Sequence, residues 1–249
     1  MKDHTMIANH IRYNEAMHRP PGTVEKTSYI NPTPSFFVVG VDLGSVNDST
    51  AISVVEVGQG FEVLSAHTPG GGVFELKRQP DLHFLVRMLH RPRLGVTYPL
   101  IVDQVRSIMT ELPPLPKAPV CVFDGSGLGM PVVQMARQGG LRCTSITITS
   151  GQTATLTGQD WSIPKALLVG ELRLAMHRKR LKVAQGFADR ETLATELASF
   201  TARLSPSGRA SFSAAGSEHD DTVLSLSMAV LAGKERFGST PRLVPILGL

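Results

Sequence analysis

Two apolar runs separated by a short polar turn form the clearest pattern in the first half of the chain. The first run, 36–41, ends in Asp42, and the second, 51–55, is rich in β-branched residues. Short runs of this kind, bounded by Gly, Asn and Asp, predict a buried strand, a tight turn and a pairing strand. A buried strand that ends in a carboxylate needs a partner for the charge, because an unpaired buried charge is costly. We therefore take Asp42 as a candidate metal ligand.

The rest of the chain alternates between strand-like and helix-like spacing of its apolar positions. Strands are predicted at 82–89, 119–124, 143–149 and 181–184, and helices at 98–112, 130–137, 164–178, 190–204 and 222–232. Weaker patterns indicate an extension of the first hairpin over 61–67, a loop over 151–161 and a hairpin over 207–214. A hairpin followed by strand–helix units predicts an α/β fold, in which helices flank a mixed β-sheet that is antiparallel at first and then parallel.

The two flanks of the predicted fold differ from its centre. Residues 1–35 are polar and end in a Pro-rich stretch, which predicts an N-terminal arm or linker. We expect one domain over 36–236 and a C-terminal tail over 237–249. No segment has the apolar centre of a signal peptide or approaches the roughly 18 apolar residues of a membrane helix. We therefore expect no membrane partner and a cytoplasmic location.

Composition narrows the class of protein. The chain has 249 residues, of which 42% are hydrophobic and 18% are charged, and its formal net charge is +4. The hydrophobic fraction supports a real core and excludes a disordered chain, while the mildly basic balance is compatible with a nucleic-acid partner. Cys121 and Cys143 lie in strand-like runs, which indicates core packing in a reducing compartment rather than a disulfide or a zinc site.

Other acidic positions share the context of Asp42. Asp124 ends the apolar strand 119–124, and Asp220 and Asp221 precede the last helix. Open sheets place ligands beyond the carboxyl ends of their strands, so Asp42 and Asp124 are expected at one edge. Carboxylate oxygens suit hard cations such as Mg²⁺ and Mn²⁺. Two such ions about 3.5–4 Å apart would hydrolyse a phosphodiester, one activating water and the other stabilising the leaving oxygen.

Each acid also has a simpler role open to it. Asp42 could be a turn former, and Asp124 before a glycine is typical of an Asx turn. Asp220 or Asp221 could serve only as the cap of the last helix. The combination favours a metal site. Two apolar strands end in Asp, and an acidic pair precedes the last helix, and no single local role explains all of these positions.

The order of these acids resembles that of the RNase H-like nuclease superfamily, whose acids lie on the first strand, the fourth strand and a C-terminal helix. More narrowly, the chain resembles the C-terminal nuclease domain of the large terminase subunit of tailed phages. The resemblance spans nearly all of 36–232. The matching stretches are GVDLGSVNDSTAISVVEV (40–57), VTYPLIVDQV (96–105), VCVFDGSGLGMPVVQMA (120–136), IPKALLVGELRLAM (163–176), LATELASF (193–200) and HDDTVLSLSMAV (219–230).

The resemblance implies an RNase H-like fold and a DNA endonuclease that hydrolyses phosphodiester bonds with two Mg²⁺ or Mn²⁺ ions. It leaves the third ligand open between Asp220 and Asp221. It also implies accessory roles for Asp48 and His219 close to the site. The implied catalytic metal ligands are Asp42, Asp124 and Asp221, with Asp220 as a further metal ligand.

The resemblance also implies partners and a setting. Large terminase subunits carry an ATPase motor with a GxxxxGK[ST] loop, and Gly233–Lys234 does not fit that pattern because Glu235 follows it. The chain is therefore expected to cut DNA without translocating it alone. The implied partners are DNA and a separate packaging ATPase, a small terminase subunit or a portal protein. The implied setting is phage or prophage DNA processing in the cytoplasm of a bacterial host.

Basic residues gather towards the end of the predicted helix 164–178. Such charges complement the helix dipole, and they could equally contact the DNA backbone. Lys165, just inside the same helix, is either a solvated lysine or a phosphate contact near the metals. Arg87, Arg91 and Arg93 form a weaker second cluster. The candidate DNA-binding residues are Arg173, Arg178, Lys179, Arg180 and Lys182.

Three other functions fit part of the pattern. A RuvC-like junction resolvase shares the acid order and would cut branched DNA. The stretches DLGSVNDST (42–50) and FDGSGLG (123–129) also resemble the two phosphate loops of the actin-like sugar-kinase fold, which would indicate an ATP-dependent small-molecule kinase. A non-catalytic nucleic-acid-binding module would keep the fold alone. Binding of MgATP separates the kinase from the nuclease.

Overall fold

The computed structural model describes residues 24–44, 48–67, 73–77, 81–187, 190–201 and 221–237. The chain divides into two compact units. The first unit comprises Met1–Thr33 and Gln59–Leu82, and the second comprises Pro34–Gly58 and His83–Leu249. The acids at the strand ends and at the start of the last helix all belong to the second unit.

Within these residues the chain forms nine strands and five helices. The strands are β1 (Val24–Asp42), β2 (Ala51–His67), β3 (Val73–Lys77), β4 (Asp81–His90), β5 (Val120–Asp124), β6 (Cys143–Thr149), β7 (Thr155–Thr157), β8 (Asp160–Pro164) and β9 (Leu181–Val183). The helices are α1 (Tyr98–Glu111), α2 (Gly129–Gln138), α3 (Lys165–His177), α4 (Arg190–Thr201) and α5 (Asp221–Phe237). All five predicted helices are present, and each begins within one residue of its expected start.

The strands form one mixed sheet in the order β7-β8-β6-β5-β1-β2-β4-β9, and β3 pairs with β2. The strand β5 is parallel to both β1 and β6, and β6 is parallel to β8. At the other side of the sheet, β9 is parallel to β4. The predicted α/β class, with a hairpin start, later parallel strands and flanking helices, is confirmed.

In the first unit, the end of β2 forms an antiparallel pair with β3. The register runs from Val63 opposite Lys77 to His67 opposite Val73. The sequence predicted the extension of β2 but not its partner, because the glycine run at 70–72 interrupts the apolar pattern. Residues 24–33 are also strand, although the sequence predicted an arm or linker there.

In the second unit, side-chain alternation decides which face of the sheet each residue occupies. The odd-numbered residues of β1 from 37 to 41 pack in one core cluster with α1 and α2, as do those of β5. Because side chains alternate across a strand, the even-numbered residues lie on the other face. Asp42 and Asp124 are both even-numbered, so both lie on the face opposite α1 and α2.

The last helix, α5, packs on that second face. Its residues from 221 to 233 are all buried, which is typical of a helix that is apolar or small all round. The hydroxyls of Ser225 and Ser227 donate to backbone carbonyls within the helix, so burial does not leave these donors unpaired. Gly40 lies directly under the helix, since a Cβ there would be 2.1 Å from the Ser225 carbonyl oxygen.

One prediction inside the domain was wrong. The polar segment 151–161 was predicted as a loop, yet it contains β7 and begins β8, a parallel strand of the sheet. Burial does not alternate along β8, because Asp160 is exposed whereas Ile163 and Pro164 are both buried. Arg137 and Ser145 both donate hydrogen bonds to Asp160. The predicted hairpin at 207–214, most of the arm 1–35 and nearly all of the tail 237–249 lie outside the described residues.

Candidate active site

Asp42 and Asp124 lie side by side at the carboxyl edge of the sheet. The parallel register of β1 and β5 pairs Val41 with Phe123, and the two acids are the next residue on each strand. Neighbouring strands lie about 4.8 Å apart, so the two acids share one short stretch of edge. Asp42 is 6% exposed and Asp124 is half-buried. The predicted convergence of these two strand ends is therefore present in the fold.

The register of α5 on β1 brings Asp221 to the same edge. Gly40 meets Ser225, whereas Val38 meets Gly233, so the start of the helix lies towards the end of the strand. The four residues from Ser225 back to Asp221 span about 6 Å. The two residues from Gly40 to Asp42 span about 6.6 Å, so the start of α5 lies towards the edge at which β1 ends. Asp221 is buried, with 5% of its surface exposed.

The donor set has the right chemistry for a hard divalent cation, because aspartate oxygens are its preferred ligands. Among the residues that the structure describes, no three His, Cys, Asp or Glu side chains lie close enough together to hold a metal ion. Asp220 and His219, which were predicted beside Asp221, lie outside the described residues. The fold thus aligns the elements that carry the acids without closing a metal cluster.

Asp124 also has a local role. Its Oδ1 accepts a hydrogen bond from the backbone N–H of Ser126 at 2.7 Å, which is an Asx turn. The turn is compact, since a Cβ on Gly129 would be 2.1 Å from the Asp124 carbonyl oxygen. The simpler role predicted for Asp124 is therefore real, and it fixes the carboxylate at the sheet edge.

Gly44, two residues after Asp42, is tied both to Thr50 and to α1. The N–H of Gly44 donates to the Thr50 hydroxyl at 3.1 Å, and the Tyr98 hydroxyl donates to the Gly44 carbonyl at 3.1 Å. Asp48 is exposed, and its Oδ1 accepts the N–H of Ser49 at 3.2 Å. Asp48 therefore lies at the surface, near the edge where the acids lie.

Arg91 joins three elements next to the acids. It follows β4, and its Nε and Nη2 donate to the Thr222 hydroxyl at 3.1 and 2.6 Å. Its Nη2 also pairs with Glu196 of α4. Arg91 thus holds the first turn of α5, one residue from Asp221. The sequence placed it only in a weak cluster; the signal that could have singled it out is its position directly after a predicted strand.

Lys165 lies on the same edge as the acids. It begins α3 directly after β8, whose Pro164 pairs with Thr149 at the carboxyl end of β6. Since β6 is parallel to β5, this is the edge at which Asp124 lies. Lys165 is half-buried. The fold therefore places a cation at the acidic edge, and the role of Lys165 as a phosphate contact stays a prediction.

The predicted DNA-binding cluster lies elsewhere. Arg180 donates to Nε2 of His83 at 2.8 Å, and Leu181 pairs with Phe84, so the cluster adjoins the amino half of β4. Arg91 at the other end of β4 is eight residues, or roughly 26 Å, from His83. The structure does not bring the cluster and the acids together. The cluster members are Arg173, Arg178, Lys179, Arg180 and Lys182.

Two further observations concern membrane-spanning helices and similarity to known proteins. No helix in the described part of the chain is long and apolar enough to cross a membrane. Comparison of the chain with protein-family models, with curated proteins and with solved structures gave no match.

Proposed function

We propose that this protein is a metal-dependent DNA endonuclease that hydrolyses phosphodiester bonds. One observation carries the proposal: Asp42 and Asp124 end neighbouring parallel strands in register, and Asp221 begins the helix that packs on both strands' face. Buried or half-buried carboxylates on one edge favour a divalent cation, because an opposite charge offsets the repulsion between like charges.

Asp42, Asp124 and either Asp221 or Asp220 would hold Mg²⁺ or Mn²⁺ ions. When bound, these ions would supply an activated water and charge stabilisation at the scissile phosphate. Lys165 would contact a phosphate oxygen at the same edge. Arg91 would keep the start of α5, and hence its acid, in register with β1.

The narrower proposal is a terminase-like nuclease in phage or prophage DNA processing. It rests on the resemblance of the acid order and of the matching stretches. The partners would be DNA and a separate packaging ATPase, a small terminase subunit or a portal protein, in the cytoplasm of a bacterial host. His219 and Asp48 would be accessory groups, and the cluster from Arg173 to Lys182 would follow the DNA backbone away from the acids.

A plasmid-cleavage experiment tests the proposal. Wild-type protein with Mn²⁺ should nick or linearise the plasmid, and Asp42→Asn should cut more than about 100-fold more slowly, since even residues behind metal ligands are worth 10–100-fold. Asp103→Asn is the matched control, because Asp103 is exposed on α1 and pairs with Arg106 of the same helix. This variant should cut like the wild type.

The same preparations give a binding readout. Mn²⁺ at roughly 100 times its Kd should add about 2.7 kcal/mol to the free energy of unfolding of the wild type and of Asp103→Asn, but not of Asp42→Asn. Equal cutting by wild type and Asp42→Asn, or no cutting by either, would refute the proposal. Cutting of a four-way junction with an intact linear duplex would assign the activity to the resolvase class.

A further inference from the structure

A cavity of about 460 Å³ lies beyond the carboxyl end of β1, on the side of the sheet that α1 covers. It opens between Gly44, Asp48 and Thr50 on one side and the segment that leads from β4 into α1 on the other. Gly44 forms part of its wall and accepts the hydrogen bond of the Tyr98 hydroxyl. Gly44 is two residues from Asp42, and two residues span at most about 7 Å. The wall of the cavity therefore begins within about 7 Å of Asp42.

The cavity is lined mostly by apolar groups, and two charged side chains also lie in its lining. Ile101 is 2% exposed and Tyr98 is half-buried, so these side chains lie on the inner wall. Arg93 and Asp48 are exposed and supply one charge of each sign. Leu94 also lines the cavity and is 62% exposed, an unusual position for a large apolar side chain.

We propose that this cavity holds one unpaired nucleobase of the DNA strand that lies at the acids. Its volume falls within the range of about 300–1,000 Å³ that is typical of ligand sites. An aromatic ring with apolar neighbours binds the face of any base. Arg93 would contact the adjoining backbone phosphate, and Asp48 would accept a hydrogen bond from an exocyclic amine. This inference rests on the DNA-binding part of the proposed function.

The concave shape of the cavity suits an unpaired base and not a base within a duplex. A base inside a duplex is stacked on both faces and cannot enter a cavity unless it leaves the stack. The protein is therefore expected to prefer DNA that already has a single-stranded end or a fork over a blunt duplex of the same sequence. The preference should depend on the side chains of the cavity and not on the acids.

The test measures the ratio of the Kd for a blunt duplex to the Kd for a forked duplex of the same sequence, by fluorescence anisotropy without added metal. For the wild type, this ratio should be at least about 5, the lower limit of what one base–aromatic stack contributes. Leu94→Ser and Arg93→Gln should each lower it towards 1. A ratio taken on one protein cancels any general loss of folded material or of DNA affinity.

Two variants serve as matched controls. Leu100→Ser removes another exposed leucine, which lies on α1 but does not line the cavity. Arg142→Gln removes an exposed arginine next to the amino end of β6. Both should keep the wild-type ratio.

A wild-type ratio near 1, or a ratio that Leu94→Ser and Arg93→Gln leave unchanged, would overturn the inference. A thermal shift with MgATP that Arg93→Gln abolishes would also overturn it, and would assign the cavity to a free nucleotide. These outcomes are separate from those of plasmid cleavage. If the protein keeps the ratio but never cuts DNA, the proposed nuclease activity is refuted and the proposed binding of a base in the cavity is supported.

Discussion

Asp124 shows that one side chain can serve the fold and a candidate site together. Its carboxylate accepts the N–H of Ser126 and so shapes the turn after β5. The same turn holds it beside Asp42 at the sheet edge. The two roles that the sequence set against each other are therefore compatible, because an Asx turn uses one oxygen and a carboxylate has two.

The cysteines behave as the sequence predicted. Cys121 and Cys143 are both buried and free, and they are paired in register on β5 and β6. Burial raises the pKa of the Cys121 thiol well above its usual value. A thiol that stays protonated is a poor nucleophile and a poor metal ligand, which fits a role in core packing.

His83 is the residue that should give this protein a measurable acid sensitivity. It is 7% exposed, and Arg180 donates to its Nε2, so the imidazole is neutral in the fold. Burial, and then the charges of Arg180 and Lys182, lower its pKa from 6.5 to about 4. Between these two pH values the unfolded chain binds more protons than the folded one, so the free energy of unfolding falls as the pH falls.

We predict that His83→Gln removes part of this pH dependence. In the wild type, protonation of His83 in the unfolded chain should lower the free energy of unfolding by up to about 3 kcal/mol between pH 7 and pH 4. Urea unfolding at several pH values measures the slope. His177→Gln, at the exposed end of α3, should keep the wild-type slope. Parallel curves for wild type and His83→Gln would contradict the prediction.

At the scale of elements, the contact between β1 and α5 decides whether the acids meet. The helix approaches the strand at Gly40, where no side chain separates the two backbones. Arg91 fixes the start of the helix through Thr222, and Lys234 pairs with Glu171 of α3 at 2.5 Å near its other end. The position of Asp221, which begins α5, therefore depends on how the whole helix packs.

Two glycine substitutions should have opposite effects on stability. Gly40→Ala would place a Cβ 2.1 Å from the backbone oxygen of Ser225, so α5 must shift, and the free energy of unfolding should fall by about 3 kcal/mol. Gly170→Ala lies in α3 with nothing within 4 Å, and it should raise this free energy by about 1 kcal/mol. Chemical denaturation measures both changes. An unaffected Gly40→Ala would refute the close packing of α5 on β1.

At the scale of the whole second unit, the charged residues of the candidate site and those of the predicted DNA-binding cluster lie at opposite ends of the strands. The acids, Arg91 and Lys165 lie at the carboxyl edge. Arg180 and Lys182 lie beside the amino half of β4, roughly 26 Å from Arg91 along that strand. A bound duplex would have to extend about 8 base pairs to span that distance, at about 3.4 Å per base pair.

The predicted DNA-binding role of the distant cluster can be measured by salt dependence. The double variant Arg178→Gln/Lys179→Gln removes two exposed charges. On a 30-base-pair duplex, the slope of log Kobs against log salt should become shallower by about 1.8, since each phosphate contact contributes about 0.9. Arg106→Gln, on α1, should leave the slope unchanged. An unchanged slope in the double variant would remove the cluster from the DNA path.

The sequence by itself determined the local elements and the chemistry they carry. The apolar runs that end in Asp42 and Asp124 became β1 and β5, and the starts of all five helices follow from helical spacing, which prolines support at α1 and α3. Local periodicity suffices there, because burying one face of a strand or helix requires that pattern. It failed for β8, where burial does not alternate and the strand is recognised from its pairing with β6 and β7.

Only the tertiary structure decided which residues lie close together in the fold. The parallel register of β1 and β5 sets Asp42 beside Asp124, and the contact at Gly40 brings the start of α5 to the same edge. It also placed Arg91 next to Thr222 and the cluster around Arg180 at the other end of β4. Sequence spacing cannot fix these relations, because they depend on strand order and helix register, which pack residues more than 100 positions apart.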